Sequence, residues 1–228
     1  MLLLHGLGAT SGVWRGWDGV APDLPGHGSA AWDPPYTFAR HAEAVLPLLG
    51  DGPVTVVGHS MGGVVALVVA ALAPDRVRRV VGVGIKVAWP EEDAARAAAL
   101  AGRPVTSYDT RAEAVERFLR VSGLGGLVAA DDPMVDTAVV DRGAAGEGSG
   151  WRLAQDPRTF GVGVPDMAGL LAAVRCPVVL ARGEHDPMVS HDQLAALVAD
   201  PVSLPGLDHN AHVEDPAAVL ALTARLVP

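Results

Sequence analysis

The sequence predicts an α/β protein: a mostly parallel sheet of about six strands, flanked by helices, with a helical segment inserted into it. Three observations carry that expectation. Short, β-branched apolar runs alternate with helical segments along 1–87 and again along 173–228, as in βα units around a parallel sheet. The run Pro53-Val54-Thr55-Val56-Val57-Gly58 is apolar without alternation, which fits a strand covered on both faces. Between the two halves, 88–172 changes character and reads as helices without strands, inserted over one end of the sheet.

Taken in order, Leu2-Leu3-Leu4 is a short strand opening onto glycine-rich chain, and 20–23 is a second strand, ended by Pro25-Gly26. Phe38, Ala42, Val45, Leu46 and Leu49 share one face of a helix over 37–49. The strand 53–58 runs into an apolar helix over 60–73, which stops at Pro74. A strand follows over 77–85, then helices over 91–101 and 111–122. Residues 123–150 are glycine-rich and acidic, and a structureless stretch of that length is uncommon and often functional. Strands over 177–181 and 202–204 and a helix over 215–226 close the chain.

Composition narrows the function. The chain has 228 residues, half of them hydrophobic but only 4% aromatic, so it buries a sizeable aliphatic core and is not disordered. One cysteine, Cys176, excludes a disulfide scaffold and a cysteine-rich zinc site, and its place before Pro177 reads as buried and inert. A net charge of −9 gives no basic footprint for nucleic acid. The longest apolar run, 61–73, falls short of the roughly 18 residues a membrane span needs. The opening Met1-Leu2-Leu3-Leu4 reads as a strand, not a basic leader, so a cytoplasmic location is expected.

The chemistry concentrates in four places. Gly58-His59-Ser60-Met61-Gly62 joins a buried strand to an apolar helix. A serine on such a turn takes strained backbone angles and needs small neighbours two residues away, which Gly58, Gly62 and Gly63 supply. Ser60 is then a nucleophile at the carboxyl end of the sheet, and the Met61 N–H points at a developing oxyanion. His5-Gly6-Leu7-Gly8 follows the first strand and offers a second donor from Leu7. Arg182-Gly183-Glu184-His185-Asp186 follows a late strand and supplies an acid: Asp186, with Glu184 its competitor. His209, in the loop before the last helix, is the candidate base, and His212 is its rival. The order serine, acid, histidine is one that hydrolases on this kind of sheet use.

These motifs, with Asp23-Leu24-Pro25-Gly26-His27-Gly28-Ser29, resemble the α/β-hydrolase superfamily in its branch with a helical cap. The resemblance implies that Ser60, Asp186 and His209 form the triad and that Leu7 and Met61 form the oxyanion hole. It implies a core of 1–87 and 173–228 and a cap of 88–172, and a structural role for Gly26 and His27. It implies a small-molecule substrate and no metal or organic cofactor. One departure is clear: relatives carry two strands before the one ending in His-Gly, whereas this chain begins on that third strand and keeps only Trp14 and Trp17 of the usual following helix. A shortened form, a start further upstream, and a homo-oligomer in which a second subunit covers the gap all fit.

Serine at position 60 supports acyl transfer to water, and small or medium, mostly apolar esters or lactones are the expected substrates. Trp89, Tyr108, Phe118, Leu119, Trp151 and Phe160 are the candidate pocket residues, while Arg111, Arg117, Arg120, Arg152 and Arg158 read as solvated faces. Hydrolysis of C–C bonds in β-diketones or ring-fission products is an alternative, as is a lyase or thioesterase. A ligand-binding signalling module with an idle triad is the alternative outside enzymes.

Overall fold

The computed structural model describes residues 1–225. Along the chain come β1 (Leu2–Leu4), α1 (Phe38–Val45), β2 (Val54–His59), α2 (Met61–Leu72) and β3 (Val77–Val83). Then follow α3 (Glu91–Ala101), α4 (Arg111–Val121), β4 (Val139–Asp141), β5 (Trp151–Leu153) and α5 (Met167–Ala173). The chain ends with β6 (Val178–Gly183), α6 (His191–Ala195), β7 (Val202–Leu204), α7 (Ala211–Glu214) and α8 (Pro216–Ala221). Five strands form one sheet in the order β1-β2-β3-β6-β7, and every pair in it is parallel.

Alternate residues of each strand feed opposite layers, as the pleat requires. Leu2, Leu4, Val56, Val80 and Leu180 pack with α1, α2 and Leu194. Leu3, Val57, Val81, Val179 and Ala181 pack with Trp14, Ala211, Val219 and Leu222. Both faces being covered, the central strands read as continuous apolar runs. No helix among the described residues is long and apolar enough to cross a membrane.

Three expectations are corrected. Among the described residues the sheet has five strands, against about six expected: the segment at 20–23 contributes one residue, Val20, which bridges Leu2. Pro22 has no N–H to extend that ladder, and the Asp23 carboxylate is taken by the N–H groups of Ser11 and Ser29. Second, 123–150 is not structureless. It holds a short 3-10 turn at Pro133–Val135 and β4, which pairs antiparallel with β5 across a glycine-rich loop. Third, the helix expected over 215–226 is shorter: α8 gives way to a 3-10 turn at Leu222–Ala224, and a separate short helix, α7, precedes it. Asp215 separates α7 from α8 and starts the latter where expected, accepting from the Ala218 N–H at 3.0 Å ahead of Pro216 at the first helical position. Position 226 of that predicted helix lies outside the described residues.

Since β3 and β6 are hydrogen-bonded parallel neighbours, the chain between them is a long crossover connection. Its helix α4 buries Ala114, Val115 and Phe118 in the same apolar layer as Val57 and Val81, so this connection shares the sheet's core.

Candidate active site

Ser60 stands between β2 and α2 with φ 50° and ψ −118°, and among the described residues it alone combines positive φ with a side chain. That conformation costs about 1–3 kcal/mol and persists only where the surroundings impose it. Here its N–H donates to the Val83 carbonyl at 2.8 Å, and its carbonyl accepts from Gly63 at 3.0 Å. The glycines are needed for contact: a Cβ on Gly58 would run into the Gly62 carbonyl, and one on Gly62 into the carbonyls of Leu4 and His5.

The loop after β1 is held by two buried histidines whose protons can be assigned from their partners. His5 donates from Nδ1 to the Gly6 carbonyl at 2.8 Å and accepts at Nε2 from the Leu24 N–H at 2.9 Å. His27 accepts at Nε2 from the Gly8 N–H at 3.3 Å and donates from Nδ1 to the Pro25 carbonyl at 3.2 Å. Burial lowers both pKa values, so each ring is the neutral imidazole those bonds require. Burial pushes the Asp23 carboxyl up, but donation from Ser11 and Ser29 outweighs it and holds the group below its ordinary value. The bonds within the loop use the N–H groups of Gly8 and Ala9, and none of them uses that of Leu7. Met61, as the first residue of α2, has one of the N–H groups a helix leaves unpaired.

Asp186 is 4% exposed, and both its oxygens lie 3.0 Å from Nδ1 of His209. A carboxylate accepts, so Nδ1 carries a proton, and in the neutral ring Nε2 is the atom with the lone pair. The Asp186 loop is tied down by the Met188 N–H at 2.8 Å and by Arg182, which reaches the carbonyls of Glu184, Asp186 and Val189. The competing acid, Glu184, is exposed and accepts from the Gly206 N–H at 2.8 Å. The competing base, His212, is fully buried on α7, with its pKa pushed down to about 3 chiefly by burial.

Ser60, His209, Leu7 and Met61 border one cavity of about 600 Å³. Phe38, Trp89, Leu127, Phe160, Val162 and Met188 give it apolar walls. Two cations on its rim are already paired, Lys86 with Asp93 and Arg120 with Glu116. Of the predicted pocket residues, Trp89 and Phe160 line this cavity. Tyr108 instead lines a smaller one of about 110 Å³, separated from the first by Val121 and Phe160. Phe118 is 2% exposed in the core, and Trp151 packs in the same apolar layer, where its strand bridges Tyr108. Leu119 also packs there. Sequence reasoning missed Phe38, Leu127, Val162 and Met188. Phe38 reads as part of a core helix face, and the others carry no periodic signal.

The match to the model of the alpha/beta hydrolase family covers residues 1–222. An esterase of Mycobacterium tuberculosis is 30% identical over 217 residues, which is 86% of this chain and 70% of the esterase. A lipase of the same organism is 51% identical over 65 residues, 27% of this chain and 25% of the lipase. This chain therefore matches only about a quarter of that lipase's length. Among solved structures, E-2-(acetamidomethylene)succinate hydrolase superposes with a TM-score of 0.77 at 24% identity, covering 98% of this chain and 90% of the other. The thioesterase domain from the curacin biosynthetic pathway superposes at 0.76 with 20% identity, covering the same shares. The strained serine turn, the sheet order and these matches agree, and the chain belongs to the alpha/beta hydrolase family.

Proposed function

We propose that the protein is a serine hydrolase that cleaves small or medium, mostly apolar carboxylic esters or lactones through an acyl-enzyme. The observation that carries this is the Asp186–His209 pair. With Nδ1 proton and carboxylate engaged at 3.0 Å, the bare Nε2 belongs to a histidine that borders the same cavity as the hydroxyl of Ser60. In this reading His209 accepts the Ser60 proton as Oγ attacks the ester carbon. The N–H groups of Leu7 and Met61 receive the charge that develops on the carbonyl oxygen, and Asp186 stabilises the imidazolium. His209 then protonates the leaving alcohol, and water repeats the sequence on the acyl-enzyme. Residues 88–172 act as the cap, since Ser122, Gly123, Leu127 and Phe160 supply part of the wall. Paired rim charges and apolar walls favour a neutral acyl group. The relatives named esterase and lipase support ester cleavage.

A fluorophosphonate and a panel of aryl esters and lactones test the reading. Wild type is expected to label at Ser60 and to turn over esters, and Ser60→Ala to do neither while staying folded. His209→Ala is expected to lose about 10⁶-fold in rate, with His212→Ala losing far less. Absence of labelling in folded wild type overturns the proposal, and the reverse ranking of the two histidines overturns the choice of base.

A further inference from the structure

Behind the base loop lie three aromatic rings that the proposed chemistry does not use. His59 precedes Ser60, His212 sits on α7, and Trp14 ends the 3-10 turn Ser11–Trp14. His59 and His212 stack, with centroids 4.2 Å apart and planes at 28°; Trp14 lies 4.6 Å from His212, and His59 lies 4.7 Å from His209. All three rings are buried, at 4%, 0% and 2% exposure for His59, His212 and Trp14. Four of their polar atoms meet no partner: Trp14 Nε1, His59 Nδ1 and both nitrogens of His212.

Burying unpartnered polar atoms costs stability, and aliphatic or phenyl side chains would fill the same space without that cost. Buried polar groups that the core does not need are retained most often where function needs them. The single side-chain hydrogen bond made by these rings shows where they act. Nε2 of His59 lies 3.0 Å from the main-chain carbonyl oxygen of His209. A carbonyl only accepts, so Nε2 carries the proton and Nδ1 is bare. The same ring abuts the loop after β1, where a Cβ on Gly6 would come within 2.8 Å of Nδ1. His59 is thus wedged between the loop that carries the base and the loop that carries the Leu7 donor.

We infer that His59 is a positioning residue: its Nε2–H holds the His209 main chain, and the His212 ring stacked against it fixes its plane, so that the base stays aimed at Ser60. The inference rests on the proposed roles of Ser60 and His209. Neutrality suits the task, because His209 becomes a cation as it takes the serine proton, and a second cation 4.7 Å away would oppose that step. Burial first, then the neighbouring His212 and His209, hold the His59 pKa well below its ordinary value.

Three variants separate positioning from packing. His59→Gln keeps a neutral N–H donor of similar reach. His59→Leu fills the volume without a donor. His212→Phe keeps a stacked ring and removes two unpartnered nitrogens. Each is compared with wild type for kcat and KM on an aryl ester, second-order labelling by a fluorophosphonate, and melting temperature. His59→Leu is expected to melt no lower than wild type yet to label and turn over about 10–100-fold more slowly at similar KM, as for a displaced catalytic group. His59→Gln is expected to regain most of that rate, and His212→Phe to melt higher with a smaller loss. Where leucine is not tolerated, His59→Asn, a donor too short to reach the carbonyl, makes the same comparison. Labelling of the leucine or asparagine variant at the wild-type rate overturns the inference, as does an equal loss in that variant and the glutamine variant. Failure of the parent reading is separate: wild type would then not label, or His209→Ala would label normally.

Discussion

Ser60 has a side chain where the backbone favours glycine, and two substitutions separate the cost of that conformation from the chemistry it serves. At φ 50° and ψ −118° an alanine keeps the strain, whereas a glycine relieves it. Ser60→Gly is therefore expected to exceed Ser60→Ala in stability by about 1 kcal/mol, or roughly 2–4 °C in melting temperature. Both variants are expected to be inactive. The order is the reverse of helix propensity, which ranks alanine above glycine; a melting temperature higher for alanine than for glycine would show that the turn carries no strain. At this scale the proposed site is legible in sequence because the turn demands particular residue types. Gly58 and Gly62 are required because a Cβ on either would lie 2.2 Å from a main-chain oxygen, far inside van der Waals contact, and Asp186 and His209 occupy loops at strand ends. The rival candidates Glu184 and His212 carry equal chemistry in sequence. They are told apart only by burial and by which neighbour each one meets.

At the scale of elements, one side chain ties the loop of His209 to the chain after α4 by hydrogen bonds. Nδ2 of Asn210 donates to the carbonyls of Ser122 and Gly123, at 3.2 and 3.0 Å, just past the end of α4. Gly123 has φ 71° there, and the segment it begins supplies Gly125 and Leu127 to the cavity wall. Asn210→Ala leaves both carbonyls without that donor. It is expected to lower stability by about 1–3 kcal/mol and to raise KM more than it lowers kcat, since the wall is affected before the base. A fall in kcat at constant KM would place Asn210 with the base instead. Sequence periodicity reads the long elements well: α3 spans the predicted 91–101, and β2 shows the expected unbroken burial. It fails for β4 and β5, three residues each, which are defined by pairing with each other across a glycine-rich loop. It fails as well for most of the cavity wall, assembled from α1, the segment after α4, the chain before α5 and the loop after Asp186. Residues from four separate segments share no period, so only the fold brings them together.

Across the whole molecule, the buried histidines set a response to acid. His5, His27, His41, His59 and His212 are all buried, and burial, the largest cause in each, lowers their pKa values; His41 falls to about 4 and His212 to about 3. A histidine whose folded pKa lies below its unfolded value of 6.5 binds fewer protons when folded. Its contribution is neutral to stability above pH 6.5, and stability then falls as pH drops from 6.5 to the folded pKa. For His41 alone the loss by pH 4 is on the order of 3 kcal/mol. Two carboxylates with depressed pKa values act below this window. Asp23 and Asp156 have pKa values below 3.8, so their stabilisation is lost only at lower pH. The melting temperature is therefore expected to decline between pH 6.5 and 4. His41 has both ring nitrogens unpartnered and stacks near Tyr36, at 6.0 Å between centroids, so His41→Phe keeps the packing and removes one protonation. That variant is expected to show a shallower decline than wild type, with the two curves converging at neutral pH apart from a constant offset. Equal slopes would mean that His41 is protonated in the folded protein and that its site admits the charge.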